Sequence, residues 1–505
     1  MVLPEKNPKN SSSLMKELFR NKVLTLSATI LLIGSFFILL FTEQFYEAIE
    51  IGSVWVREYF GTFYLWLGLG CVFFLFIIAM SKIGKIKLGN SPPEYDRLSW
   101  IAMLYSAGMG AGILLRAVQE PVYMYLNPPI ETGSSAKIIA LEYTFYQWGF
   151  TAWAFYGLFA LIIAFSLFVE KQDIRLSSSL QVFQGNRWGK SIDILTILTT
   201  VIGLVAAIGL GTSQIEGGIS HLRSKDPGNL LPNLFLILVI CVLAFFSAWA
   251  GVNKGIKRIS NWNIYTTVTL LLFVFFLGNI PEMILNFFQS LYHYVFDFIP
   301  LSLASGDLDP GKQFLTDWTY YYWAFWLAWA PFTGVFIARI SKGRSIRELI
   351  FGVLLIPSLG SFFWFSVFGT SAFELIGEIS TYNNEFGNVF TSLFIFIENY
   401  PFPAFSSLII IILLVSFLVT SVDSAIFVLS MFTDKGNPEP KKKYRLVWAV
   451  LILIFCEAII VLGHTKPDSN VLTAMQKFLI ISSLPFAILS VIIIFLFSRK
   501  LLRKN

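Results

Sequence analysis

The sequence predicts an all-α integral membrane protein of about twelve transmembrane helices. Three observations carry that prediction. Hydrophobic residues make up 56% of the 505-residue chain and charged residues only 13%, against about 25% charged in an ordinary soluble domain. The apolar residues fall in blocks of roughly twenty, the length a helix needs to cross about 30 Å of hydrocarbon. Basic residues then alternate from one inter-block loop to the next, the pattern by which a polytopic chain sets its orientation.

The blocks run over 24–41, 61–80, 98–118, 138–168, 192–213, 232–251, 261–280, 318–340, 350–370, 404–432, 446–463 and 471–497. Lys6, Lys9, Lys16, Arg20 and Lys22 precede the first block, and Lys82, Lys85, Lys87 and Arg97 follow the second. Further basic groups lie at Lys171–Lys190, Lys254–Arg258, Lys342–Arg347, Lys441–Arg445 and Arg499–Lys504. Intervening loops hold acids such as Glu43, Glu47, Glu50, Asp297, Asp307 and Asp309. The positive-inside rule then places both termini in the cytoplasm, and a polytopic helical chain of this kind is expected in the cell inner (plasma) membrane. The polar stretch up to Lys22 reads as a retained tail, since it lacks the apolar region and cleavage site of a signal peptide.

Other classes fit poorly. The net charge of +6 is spread between apolar blocks, so no nucleic-acid surface is expected. Cys71, Cys241 and Cys456 lie singly in apolar segments and read as packed thiols. His221, His293 and His464 form no cluster in the sequence, no cofactor is expected, and a membrane enzyme would need clustered histidines or acids around one cavity. Residues 281–300 mix apolar and polar positions, as in an amphipathic helix lying on the outer surface. A similar element is expected within 371–402, where Glu374, Glu378, Glu385 and Glu398 forbid a crossing.

Two spans are unusual. The third carries Gly108, Gly110 and Gly112, and the eighth carries Pro331 and Gly334. Interrupted helices at matching places of two halves point to a transporter binding site, and five spans per half would make the halves inverted copies. Small residues at helix contacts are the alternative. Alternating glycines make continuous helix costly, and carbonyls freed at mid-membrane depth must face a cavity or an ion. In the tenth span the hydroxyls of Thr420 and Ser421 could complete an oxygen cage for sodium, or bond back to their own helix. Aromatics make up 17% of the chain. Trp148, Trp153 and Tyr156 share one span, and Phe325, Trp326, Trp329, Phe332 and Phe336 share another at helical spacing. Clustered π faces attract a desolvated cation; an interfacial aromatic belt is the competing reading.

The segment Trp323-Ala324-Phe325-Trp326-Leu327-Ala328-Trp329-Ala330-Pro331-Phe332-Thr333-Gly334, continuing through Ala338-Arg339-Ile340-Ser341-Lys342-Gly343-Arg344 to Arg347-Glu348, resembles the signature of the betaine/carnitine/choline transporter family. Gly108-Met109-Gly110-Ala111-Gly112 with Glu120-Pro121 resembles its glycine motif, and Asn253-Lys254-Gly255-Ile256-Lys257 and Thr420-Ser421 match as well. The resemblance spans about residues 50–495. It implies a leucine-transporter-type fold: two extra N-terminal helices (24–97), a first five-helix repeat (98–280), a surface helix and outer loop (281–316), and an inverted second repeat (317–497). Short tails, 1–23 and 498–505, complete the division. A homotrimer is also implied.

Carried over by position, the aromatic box falls on Trp148, Trp153, Tyr156, Trp326 and Trp329, with Phe325, Phe332 and Phe336 beside it. Met109, Gly110, Arg116 and Glu120 would complete the substrate side. The sodium site falls on Ser106, Met109, Phe417, Thr420 and Ser421. A second sodium site fits less well, because Thr200 matches but Leu204 stands where a hydroxyl is expected. Choline carriers tend to hold an acid at the position of Gly112, which favours a zwitterion here. Phe325 replaces one tryptophan of the box. Arg116, costly inside a span, either pairs with Glu120 at i,i+4 or grips a substrate carboxylate or sulfonate. The expected activity is sodium-coupled symport of a zwitterionic compatible solute, glycine betaine or a sulfonium analogue. A carrier of taurine or an amino acid, and a sodium-independent exchanger, are the alternatives.

Overall fold

A backbone crossing hydrocarbon must satisfy its own N–H and C=O groups, and this chain does so with helices. The computed structural model describes residues 21–108, 110–250, 255–465 and 471–504. In order they form α1 (Lys22–Leu40), α2 (Thr42–Met80), α3 (Arg97–Gly108), α4 (Ala111–Arg116), α5 (Gln119–Leu126), α6 (Ala136–Trp148), α7 (Phe150–Ala164), α8 (Arg187–Leu222) and α9 (Leu230–Ala250). The second half comprises α10 (Gly255–Leu277), α11 (Ile280–Phe296), α12 (Phe298–Leu303), α13 (Tyr320–Ile340), α14 (Ile346–Ile376), α15 (Ser392–Ile397), α16 (Pro403–Thr433), α17 (Lys442–Gly463) and α18 (Val471–Lys504). Among the described residues, eleven helical stretches are long and apolar enough to cross a membrane. The remaining predicted span, the third, is present in two pieces, α3 and α4, with α5 following it. The chain is an all-α, multi-pass membrane protein.

The predicted boundaries change at three places, and the break expected at the glycine run is present. Helix α2 is 39 residues long and starts well before residue 61. Its acidic first half interrupts the apolar pattern without interrupting the helix, and Glu50 there pairs with Arg57 and Lys477. The third span breaks at Gly110, whose backbone is extended (φ −107°, ψ −155°). The fourth breaks at Gly149 (φ −97°, ψ −140°) between α6 and α7, and only then continues through a π turn at Phe165–Val169. The eighth, expected to be interrupted at Pro331 and Gly334, is instead one continuous helix with Pro331 inside it. Gly334 serves packing there: a Cβ would stand 2.6 Å from Phe159 Cβ and 3.0 Å from the Ala160 nitrogen, so its absence lets α13 lie directly on α7.

Burial separates centre from periphery. The most apolar stretches of α6–α7, the segment ending in α13, and α8 are 83%, 78% and 72% buried, whereas those of α1, α9 and α10 are 28% or less. The outer helices therefore present their apolar faces to lipid. The long signature after α13 is a joint between elements. Arg344 lies 4.2 Å over the Trp100 ring and donates to the Tyr95 and Asp96 carbonyls. Arg347 donates to Ala79 O at the end of α2 at 2.7 Å. Ser345 and Glu348 close a capping box on α14. The Arg347 contact meets a carbonyl at the C-terminal end of α2, and the capping box meets N–H groups at the start of α14, both of which a helix end would otherwise leave unpaired.

The amphipathic element expected at 281–300 is α11. Asn279 caps it, Pro281 occupies its first turn, and its buried residues Met283, Asn286, Ser290 and Tyr294 recur at intervals of three and four. Within 371–402, α14 runs on to Ile376 and the short α15 follows.

Packing of α7 on α13 makes a direct prediction. Gly334→Val should lower stability by about 1–3 kcal/mol through overpacking, read as a lower melting temperature in detergent. Gly70→Ala, mid-helix in α2 where a Cβ would meet nothing within 4 Å, should leave stability unchanged or raise it by up to about 1 kcal/mol.

Candidate functional site

The two helix breaks lie beside one cavity. It holds about 150 Å³ and is lined by Gly110, Ala111 and Gly112 from the first break and by Trp148, the last residue before the second. Tyr156, Phe325, Trp326, Trp329, Phe332 and Phe336 supply its aromatic wall, and Phe417, Thr420, Ser421 and Ser424 its α16 wall. That volume suits a solute of a few heavy atoms and is well below the roughly 300–1,000 Å³ of a drug-sized site.

The aromatic wall is organised by perpendicular rings. Trp148 and Trp326 meet at 5.1 Å and 72°, and Tyr156 and Trp326 at 5.9 Å and 89°. Trp148 and Tyr156 each stand steeply to Trp326 and form a corner with it, so a ligand seated there meets more than one π face. Trp329 extends the wall against Phe332 at 5.4 Å. Phe325 adjoins both Trp326, at 5.2 Å, and Trp329, at 6.4 Å. Trp153 is buried against Tyr156 at 5.4 Å and 90° and supports the corner without lining the cavity.

Side chains satisfy the orphan groups at the second break. Trp326 Nε1 donates to Gln147 O at 2.9 Å, one of the last carbonyls of α6. Phe150 N, at the start of α7, donates to Tyr294 Oη at 2.8 Å. Helix ends otherwise leave such groups unpaired, so one hydrogen bond fixes the cavity tryptophan while it stabilises the break. Trp148 Nε1 donates to the Glu120 carboxylate at 3.2 and 3.3 Å. Trp329 Nε1 differs: it is buried and has no hydrogen-bond partner.

Arg116 and Glu120 lie behind this wall and outside the cavity lining. Arg116 donates to Gln119 Oε1 at 2.6 Å, stands 3.9 Å from Glu120 and covers the Trp318 ring at 5.0 Å. Glu120 is fully buried and also accepts from the Tyr322 hydroxyl. The i,i+4 pairing is thus the arrangement present, and it keeps a mutually neutralised ion pair against the back of Trp148. Rings of Trp318, Tyr322 and Trp326 stack in sequence, at 6.4 and 5.9 Å, and so connect the ring under Arg116 to the cavity wall. At the other end Ser260, Phe336 and Ser424 line it, toward the face that carries the basic loops.

Among the expected ion-site residues, Phe417, Thr420 and Ser421 line the same cavity as Gly110, and α4 packs against α16. Thr420 Oγ1 donates to the carbonyls of Ser416 and Phe417, both at 3.0 Å, which spends its proton and leaves oxygen lone pairs for a cation. Met109 and the Ser106 side chain lie outside the described residues, as do Asn253, Lys254 and the side chains of the segment after them. Thr200 Oγ1 bonds back to Thr196 O at 2.8 Å, and Leu204 is buried. Ser260 and Asn263, polar residues near the start of α10, line the cavity unforeseen; the polar residues Ser260, Asn261 and Asn263 at the head of an apolar block were the available signal. Asn263 also pairs with Ser416.

The sequence profile described as BCCT, betaine/carnitine/choline family transporter, matches residues 22–505. The chain is 36% identical to the glycine betaine transporter OpuD of Bacillus subtilis (strain 168) over 88% of its length and 87% of the relative's. It is 33% identical to the osmo-dependent choline transporter BetT2 of Acinetobacter baylyi over 94% of its length and 70% of the relative's. Likeness to the ectoine/hydroxyectoine transporter of Virgibacillus pantothenticus is 32% over 88% and 89%. With a broken helix, an indole-walled cavity and a family match over almost its whole length, the chain belongs to the betaine/carnitine/choline family of transporters.

Proposed function

We propose that the chain imports a small zwitterionic compatible solute, glycine betaine or a sulfonium analogue, in symport with sodium. The observation that carries this reading is the steep corner of Trp148, Tyr156 and Trp326 in a small cavity beside the extended backbone at Gly110. Desolvated onium groups gain about 2 kcal/mol or more from such faces. The partnerless Trp329 N–H offers a donor to an acidic group, as does backbone released at the break.

Two further observations favour a zwitterion over a bare cation. Gly112 lines the cavity, where a Cβ would stand 3.5 Å from the Trp148 ring, so no acid is available at that position. Glu120, behind Trp148, is committed to Arg116, Trp148 and Tyr322. Relatives named for glycine betaine, choline and ectoine are consistent with a small organic solute. Sodium coupling is supported by the hydroxyls of Thr420 and Ser421 lining the cavity that Gly110 enters. An ion bridging α16 to the broken span would stabilise the bent form that binds solute, and linkage makes each ligand raise the other's affinity.

Three measurements test the reading. Radiolabelled betaine uptake into proteoliposomes should require an inward sodium gradient, and Thr420→Ala with Ser421→Ala should raise the sodium concentration for half-maximal uptake at least about tenfold, the effect of roughly 1.4 kcal/mol. Equal uptake in sodium and potassium would remove the symport. Trp326→Leu should raise the apparent KM for betaine about thirtyfold, corresponding to some 2 kcal/mol of cation–π energy; competition that taurine provides and betaine does not would shift the substrate class.

Arg116→Gln should lower the melting temperature in detergent by leaving a buried charge, a loss of about 3–5 kcal/mol. Adding Glu120→Gln should recover much of that loss and restore the KM. A KM defect that persists in the double variant would instead make Arg116 a direct ligand of the solute.

A further inference from the structure

Helix α11 brings together groups that are far apart in the sequence. His293, in its last turn, and Asp297, just past its end, stand at i,i+4 with Nδ1 3.4 Å from Oδ2. They sit by Glu142 of α6, which is 2% exposed and whose Oε1 has no hydrogen-bond partner. One ligand atom from each of the three lies within 4.8 Å of the others. A buried carboxylate oxygen without a donor is costly, and here it adjoins an imidazole and a second carboxylate. We propose that Glu142, His293 and Asp297 form a binding site for a divalent transition-metal cation, with zinc the best match.

The donor set and the spacing both support this assignment. Imidazole nitrogen with carboxylate oxygens suits zinc, whereas calcium and magnesium take six or more oxygens. Tetrahedral zinc with ligands at about 2.0–2.1 Å holds neighbouring ligand atoms about 3.3 Å apart, close to the 3.4 Å already present between His293 and Asp297. The third ligand needs an approach of at most about 1.5 Å, within reach of side-chain rotation. His293 and Asp297 side chains are 35% and 34% exposed, so an ion can enter from solvent and keep water in the fourth position.

The position gives the site a structural role. Tyr294, the neighbour of His293, accepts the Phe150 N–H at the second helix break. Gly149 admits that hydroxyl, since a Cβ there would lie 2.5 Å from it. The residue before Gly149 is the cavity tryptophan, Trp148. A metal held by Glu142, His293 and Asp297 joins the surface helix to α6 and pins the break from outside.

The test uses the full chain, purified in detergent without a polyhistidine tag and treated with chelator. Micromolar zinc should raise the melting temperature by roughly 2–4 °C, and one zinc per chain should remain after desalting, by elemental analysis. Magnesium should do neither. His293→Ala and Asp297→Asn should each abolish both effects, Glu142→Gln should do the same if it folds, and His464→Ala should keep them. No shift and no retained zinc in the parent, or full effects surviving in His293→Ala and Asp297→Asn, would overturn the site.

Discussion

Hydrocarbon offers no water to an unpaired peptide group, so a helix may stop inside a bilayer only where protein or a ligand meets its open ends. That constraint organises the centre of this molecule. The chain stops being helical at Gly110 and again at Gly149, and both breaks adjoin one cavity. At Gly149 the free carbonyl of Gln147 is met by Trp326 and the free N–H of Phe150 by Tyr294. One of these partners is a wall of the cavity and the other belongs to the surface helix α11. The requirement to satisfy backbone therefore also sets the orientation of an indole and attaches the periphery to the centre.

The charged groups obey a related rule. A guanidinium and a carboxylate this far from water persist because each is paired and hydrogen-bonded. Glu120 collects Arg116, Tyr322 and Trp148, so it fixes the second indole of the corner while remaining outside the cavity. The result is a compartment with aromatic walls, a run of hydroxyls along α16, and no free carboxylate among its lining residues. Such a compartment offers a ligand the polarised faces of aromatic rings in place of a formal counter-charge. The long basic signature after α13 acts elsewhere: Arg344 and Arg347 bind carbonyls at the ends of neighbouring elements, which holds α2, α3 and α14 at one face of the molecule.

The sequence by itself determined the class of molecule, because hydrocarbon imposes length and apolarity on every crossing segment and both can be counted along the chain. It also located the break at the glycine run, the amphipathic α11 and the aromatic-rich spans, each of which follows from local composition or spacing. Tertiary structure alone decided what those residues face. Hydropathy merges α6 and α7 into one block because an apolar run hides a turn at Gly149, and it sees a break at Pro331 where the ends of the segment are held as one helix packed on α7. Whether Arg116 meets solute or Glu120, whether Trp153 lines or supports, and that Ser260 and Asn263 reach the cavity all depend on helix rotation and on neighbours distant in the chain. The same is true of Glu142 and His293. Side-chain direction and long-range proximity arise when helices pack, and a linear pattern of residue types records neither.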